Sequence, residues 1–336
     1  MKKLFLFFLT IGVSLQAVAG YVEGENAFNE HNYALAFEEF LPEADAGDYR
    51  SQYYIGYLYI HGLGVQKDEK KGIQYLQQAV DQDHDMAQAL MGYLYAEGIS
   101  VRKDKKKALE LYQLAADKNN ISANLNLGIM YYKGDSVPRD YDKALQYFSK
   151  VPLNSNPIVC RYLGDIYYNN PTLKDYKKAS QYYELGARQN DLNAYYNLAE
   201  MYRTGTGTEK DTKTALTYHK YAASKGYVAS QYILGVIYAN GEGVSKDKYK
   251  AIAWLQIASD QGLELAKEAM EKLTKNMSLT DIQSASRQVV LIQQNEMGKI
   301  EPPFNPETAM ENVSALEGVA QQPKQKRRRT LRRRRR

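Results

Sequence analysis

Small and aromatic residues recur along this chain in a single register. Gly56, Gly92, Gly128 and Gly164 are spaced by 36 residues, Ala199 follows after 35 and Gly235 after a further 36. Three residues after each stands a tyrosine, namely Tyr59, Tyr95, Tyr131, Tyr167, Tyr202 and Tyr238. Six after comes Gly62, Gly98, Gly134, Gly205 or Gly241, with Asn170 once in their place. About twelve after comes Asp68, Asp104, Asp140, Asp175, Asp211 or Asp247, and four beyond each aspartate a small residue from Gly72 to Ala251. A one-residue deletion in the loop around Pro171 accounts for the interval of 35.

This pattern predicts two helices per unit. The apolar and small positions recur at helical spacing, so each helix carries a stripe that must be buried against a neighbour. Glycine after the first helix suits a left-handed C-terminal cap, and the aspartate suits the N-cap of the second. Gly47, Asn119, Asn190, Gly226 and Gly262 are placed to end second helices in the same way. Extrapolating one period backwards reaches Ala36, which predicts a further second helix near the N-terminus.

The units Ser51–Ala79 and Ser230–Ala258 resemble Sel-one-like repeats, relatives of tetratricopeptide repeats with a longer interhelical loop. The resemblance covers roughly residues 21–275. It implies an all-α fold, a right-handed α-solenoid of tandem antiparallel helix pairs. The expected organisation is a leader over 1–19, six to seven repeats over 20–275, a closing helix over 276–296 and a disordered tail over 297–336. Thr280 and Gln283 have capping-box spacing for the closing helix, which would seal the last repeat. By analogy with tetratricopeptide repeats, partners bind along the first helices, at positions three before, one after and four after the signature small residue. In this chain these include Tyr53, Tyr57, Tyr93, Tyr132, Asp165, Tyr168, Tyr196, Glu200, Arg203 and Tyr232. Exposed tyrosine suits protein recognition, offering a large area, few rotors and a polar tip. Members of the family are associated with envelope regulation, motility and host-cell entry. Cysteine-rich members have been linked to penicillin binding, but this chain lacks their paired cysteines.

The ends change the picture. Met1-Lys2-Lys3, the apolar run from Leu4 to Leu15 and Ala17-Val18-Ala19 read as a secretory signal peptide cleaved after Ala19. A membrane anchor is the competing reading, yet the run falls short of the roughly 20 residues that span a bilayer. The expected location is therefore the periplasm or the medium, with no transmembrane segment after leader removal. The formal charge of +5 hides an asymmetry, because ten Lys or Arg and no acid fall in the last thirteen residues. Setting aside those ten and the two leader lysines leaves −7 on residues 20–323. The cluster of Lys324, Lys326, Arg327, Arg328, Arg329, Arg332, Arg333, Arg334, Arg335 and Arg336 suits an envelope polyanion, nucleic acid or an acidic protein face. It lacks aromatics for stacking and a folded reader, which argues against sequence-specific nucleic-acid binding.

No catalytic or metal-binding signature accompanies the repeat. The four histidines, His31, His61, His84 and His219, form no HExxH or paired arrangement. There is no nucleophile elbow, phosphate loop or dinucleotide fingerprint, so neither a metal nor a cofactor is expected. Cys160, the single cysteine, reads as a small buried hydrophobe and excludes an intramolecular disulfide. The function predicted is a non-catalytic protein–protein interaction scaffold or adaptor, envelope-located or secreted, holding a protein or peptide in the groove. The alternative is a polyanion-binding envelope protein acting through its Arg-rich tail.

Overall fold

The aspartates of the repeat determine where the second helices begin. In the computed structural model, which describes residues 20–304, the side chains of Asp68, Asp104, Asp140, Asp175, Asp211 and Asp247 each accept a hydrogen bond from the backbone N–H three residues on. Their own N–H groups donate to the C=O of the repeat tyrosine, as from Asp68 to Tyr59 at 3.0 Å and Asp211 to Tyr202 at 2.9 Å. One residue thus closes the loop and caps the helix, satisfying groups that would otherwise be left unpaired.

At the far end of the first helices, Gly62, Gly98, Gly134, Gly205 and Gly241 take φ between 66° and 78°, where a Cβ is strained. The fourth repeat solves the same problem differently. Asn170 has φ of −75°, and its side-chain oxygen accepts from the Thr172 N–H at 2.9 Å. Asp175 still reaches the Tyr167 carbonyl at 2.9 Å, so the deletion is absorbed in the loop and the helix pair is kept.

Among the described residues there are 16 α-helices and no strand, and the fold is an all-α helical repeat solenoid. They divide into two compact units, meeting in sequence at Lys150 and Val151. The first unit contains α1 (20–29), α2 (Tyr33–Asp45), α3 (Tyr49–His61), α4 (Glu69–Asp81), α5 (Asp85–Glu97), α6 (Lys105–Asp117), α7 (Ile121–Lys133) and α8 (Tyr141–Phe148). The second contains α9 (Pro157–Asn169), α10 (Tyr176–Arg188), α11 (Leu192–Thr204), α12 (Thr212–Ser224), α13 (Val228–Asn240), α14 (Lys248–Asp260), α15 (Glu264–Thr274) and α16 (Leu279–Asn295).

Within each pair the signature small residue lets the helices approach closely. A Cβ at Gly56 would lie 2.7 Å from Leu76, and one at Gly92 2.9 Å from Tyr112. A Cβ at Gly24 would likewise lie 2.7 Å from Phe40, which makes α1 the first helix of an N-terminal repeat. The 36-residue register passes over it because Gly24 precedes its cap residue Asn32 by eight positions, where Gly56 precedes Asp68 by twelve. The predicted second helix around Ala36 is therefore half of a complete pair.

Buried glutamines join one pair to the next. Gln52 donates to the Ala44 carbonyl at 3.2 Å and accepts from Gln82 at 2.9 Å, and Gln231 does the same with the Ala223 carbonyl and Gln261 at 3.2 and 2.7 Å. Each ties a first helix to the C-terminal ends of two second helices, and neither amide is left unpaired in the core. Cys160 takes the equivalent position in the fourth repeat, fully buried, and burial pushes its thiol up to about 12. It is a packing residue.

The closing helix departs from its predicted cap. Ser278, not Thr280, is the N-cap of α16, accepting from the Asp281 N–H at 3.2 Å while its hydroxyl donates to the Asp281 carboxylate at 2.9 Å. Asp281 is the better partner because Lys248 and Tyr249 of α14 also reach it, at 2.9 and 2.6 Å. Ile292 of α16 is buried among Leu234, Tyr238 and Trp254. The chain does not lose its contacts at residue 297 as expected, since the Gly298 N–H donates to the Ser224 carbonyl at 2.7 Å and the ring of Phe304 meets those of Tyr195 and Tyr218. The leader pattern and the ten basic residues of the C-terminus lie outside the described residues.

Candidate functional site

The first helices carry all ten predicted groove residues, and the two units use them differently. In the first unit, Tyr53 of α3 and Tyr93 of α5 line one cavity of about 270 Å³. Met86, Ala89 and Leu90 supply its apolar wall, and Asn120, Ser122 and Asn126 supply polar groups beside α7. No acidic or basic side chain lines it. Tyr93 is 44% exposed, so its ring is available at the mouth. Burial, then the neighbouring Tyr54, Tyr57 and Asp85, pushes the Tyr53 hydroxyl up to about 12 and keeps it neutral. Asn126 donates to the Ser122 carbonyl at 2.9 Å, which fixes the orientation of its amide.

The other two predicted residues of this unit lie elsewhere. Tyr57 packs on Phe28 and His61, with ring centroids 5.7 and 4.3 Å away, and Tyr132 lies 5.7 Å from Tyr141. Neither lines the cavity.

In the second unit Glu200 and Arg203 are absorbed into a polar network. Glu200 receives Arg203 through two hydrogen bonds, at 2.9 and 2.8 Å, and His219 Nε2 at 3.0 Å. Arg203 also reaches Glu242 at 3.2 Å. Burial raises the Glu200 carboxyl, but hydrogen bonds and charge from His219 and Arg203 outweigh it and hold the group down to about 2. His219 is fully buried, and burial pushes its imidazole down despite the carboxylate. Its partners fit a neutral ring that donates from Nε2 to Glu200 and accepts at Nδ1 from Ser230 at 3.3 Å. Tyr196 packs edge-on against this ring at 5.6 Å.

Asp165 is similarly engaged, accepting from Tyr183 at 2.7 Å and Asn197 at 3.3 Å with Arg161 at 3.7 Å. Tyr168 lies edge-on to Tyr176 at 5.1 Å, and Tyr232 packs against the cluster of Leu255, Ala258 and Ala266. Sequence reasoning missed His219 because its partner lies 19 residues away on another helix. It missed Met86 and Asn126 because neither falls on the three groove registers. Among the described residues no group of three or more His, Cys, Asp or Glu side chains converges to hold a metal. Among the same residues no helix is long and apolar enough to cross a membrane.

Tandem helix pairs with recognition-type tyrosines on their first helices define a repeat solenoid of the interaction class. The model of the Sel1 repeat matches residues 50–84, 85–120, 121–150, 157–191, 192–227 and 228–263. The chain belongs to the Sel1 repeat family, whose members generally serve as protein–protein interaction scaffolds. It is similar to c5321, a protective antigen present in uropathogenic Escherichia coli strains that displays an SLR fold, at 25% identity and a TM-score of 0.72 over 86% of this chain. This chain spans 65% of that antigen's length. It is also similar to a Sel1 repeat protein from Oxalobacter formigenes, at 30% identity and a TM-score of 0.62, over 71% of this chain and 98% of that one. Among curated proteins none matches significantly.

Proposed function

We propose that this protein is a non-catalytic adaptor that captures an extended peptide on the first helices of its first unit. One uncharged apolar or aromatic side chain of the peptide anchors between Tyr53 and Tyr93. The observation that carries this reading is the cavity itself: open, walled by Met86, Ala89 and Leu90, and bordered by three uncharged polar side chains. An anchor of that kind buries apolar area without stranding a charge, while Asn and Ser groups suit a peptide backbone. The leader-like pattern of residues 1–19 supports work in the bacterial envelope or outside the cell.

The test is a titration of short Gly-Ser peptides carrying a single Phe, Leu, Asp or Lys. Phe and Leu peptides are expected to bind the full chain more tightly than the charged ones. Tyr53→Ala with Tyr93→Ala is expected to remove about 2 kcal/mol of that binding with the circular dichroism unchanged. Equal binding of all four peptides would overturn the assignment.

A second reading is supported by the concentration of ten Lys or Arg in the last thirteen residues, beside an acidic body. In it the C-terminal end retains the protein on an anionic surface. Deleting residues 324–336 is then expected to abolish sedimentation with anionic vesicles at low salt and to leave peptide capture intact.

A further inference from the structure

The second unit carries a feature that the repeat does not require. In three repeats the first-helix tyrosine stacks flat on its second-helix counterpart: Tyr59 on Tyr75 at 11°, Tyr131 on Tyr147 at 10° and Tyr167 on Tyr182 at 6°. A lysine ammonium lies over the first ring in each case, from Lys71, Lys143 and Lys178. The fifth repeat breaks both habits. Thr214 takes the register position of the lysine, and Tyr202 and Tyr218 meet edge-on at 67°.

The ring of Phe304 lies against this altered place, 5.2 Å from Tyr218 and 5.7 Å from Tyr195 between centroids. The guanidinium of Arg188 stands 4.6 Å from its centre. Two of these contacts depart from the repeat in a direction that favours an aromatic guest. Arg188 occupies the register of Asp81, Asp117 and Asp260, where an acid would repel the ring face that an arginine attracts. Tyr195 occupies the register of Gln52, Gln88 and Gln231, replacing a buried amide by a buried ring.

The segment leading to Phe304 is also held. Gly298 donates to Ser224 at 2.7 Å and accepts from Lys225 at 3.3 Å, and Met297 packs against the apolar cluster that contains Trp254 and Ile292. Pro302 and Pro303 restrict the approach to extended backbone, which lowers the entropy lost on docking.

We infer that Arg188, Tyr195 and Tyr218 form a recognition slot for a single aromatic side chain on an extended segment, and that its occupant is Phe304 of the same chain. The slot lies in the second unit, on α10, α11 and α12, whereas the proposed peptide cavity lies in the first, so the two inferences stand or fall separately. Docking Phe304 fixes the point on the second unit from which the remaining residues depart.

The experiment compares the full chain with its Phe304→Ala and Phe304→Tyr variants, reading hydrogen exchange at the Gly298 amide and tryptic cleavage after Lys299. Phe304→Ala is expected to speed both by about tenfold or more and to leave the amides of α3 and α5 unchanged. Phe304→Tyr, which keeps the ring, is expected to restore protection. Equal rates in the wild type and Phe304→Ala would overturn the inference. Protection that rises with protein concentration would assign Phe304 to the slot of a second copy and overturn the intramolecular reading.

Discussion

The first helices of the two units obey the same register yet expose different chemistry. In the first unit the position after the signature glycine is Tyr57, Tyr93 or Ile129, and Tyr93 presents its ring at the mouth of an uncharged cavity. In the second the position after the signature small residue is Asp165, Glu200 or Val236, and both carboxylates are engaged by neighbours on the same unit. Repeat register places a residue on the first-helix layer, but only its partners decide whether it is free to bind. A carboxylate held by Arg203 and His219 would have to break those bonds before meeting a ligand.

The contrast can be broken most forcefully at Glu200. Glu200→Ala leaves Arg203 with a single acid and His219 with an unmatched Nε2–H, and is expected to destabilise the second unit by about 3 kcal/mol. Hydrogen exchange should accelerate in α11 and α12 and remain unchanged in α3 and α5, because each pair contacts mainly its neighbours. Gly24→Val tests the first unit in turn. Its side chain would collide with Phe40, so a loss of about 2 kcal/mol confined to α1, α2 and α3 is expected by the same measurement.

Acid sharpens the comparison. The Glu200 carboxyl is depressed from 4.5 to about 2 in the folded chain, so its contribution is present in full above 4.5 and is lost as pH falls toward 2. The buried His219 adds in the same direction. Its folded value is lowered, so below 6.5 the unfolded chain takes up the proton first and stability falls with pH. Urea denaturation should show the gap between wild type and Glu200→Gln shrinking by about 2 kcal/mol between pH 7 and pH 2. A gap independent of pH would contradict the ionised assignment of Glu200. The smallest effect is expected at Tyr196. Replacing it by Ala should leave peptide affinity in the first unit within about twofold, because its ring packs on His219 and is absent from the cavity.

What was legible in the sequence was local. The caps follow from aspartate and glycine chemistry over three or four residues, so Asp68 and Gly62 could be assigned without a structure. Gly24 escaped because a loop shortened by four residues removed it from the period. Ser278 was passed over because its advantage comes from Lys248 and Tyr249, some thirty residues earlier. The slot for Phe304 joins residues more than eighty positions apart, and only the departures at Arg188 in the fourth repeat and at Tyr195 and Thr214 in the fifth set this place apart in the sequence. Of the residues that line the cavity, the register contains Tyr53 and Tyr93, but the pairing of Glu200 with His219 and the wall formed by Met86 and Leu90 depend on which helices meet.

The most direct test of peptide capture is the methyl resonance of Met86, which lines the cavity and is 43% exposed. Titrating the full chain with the single-Phe peptide should shift that methyl along a saturating curve, and the shift should vanish in Tyr53→Ala with Tyr93→Ala. Peptide binding that leaves Met86 unmoved and instead perturbs residues around Glu200 and Tyr196 would contradict the account.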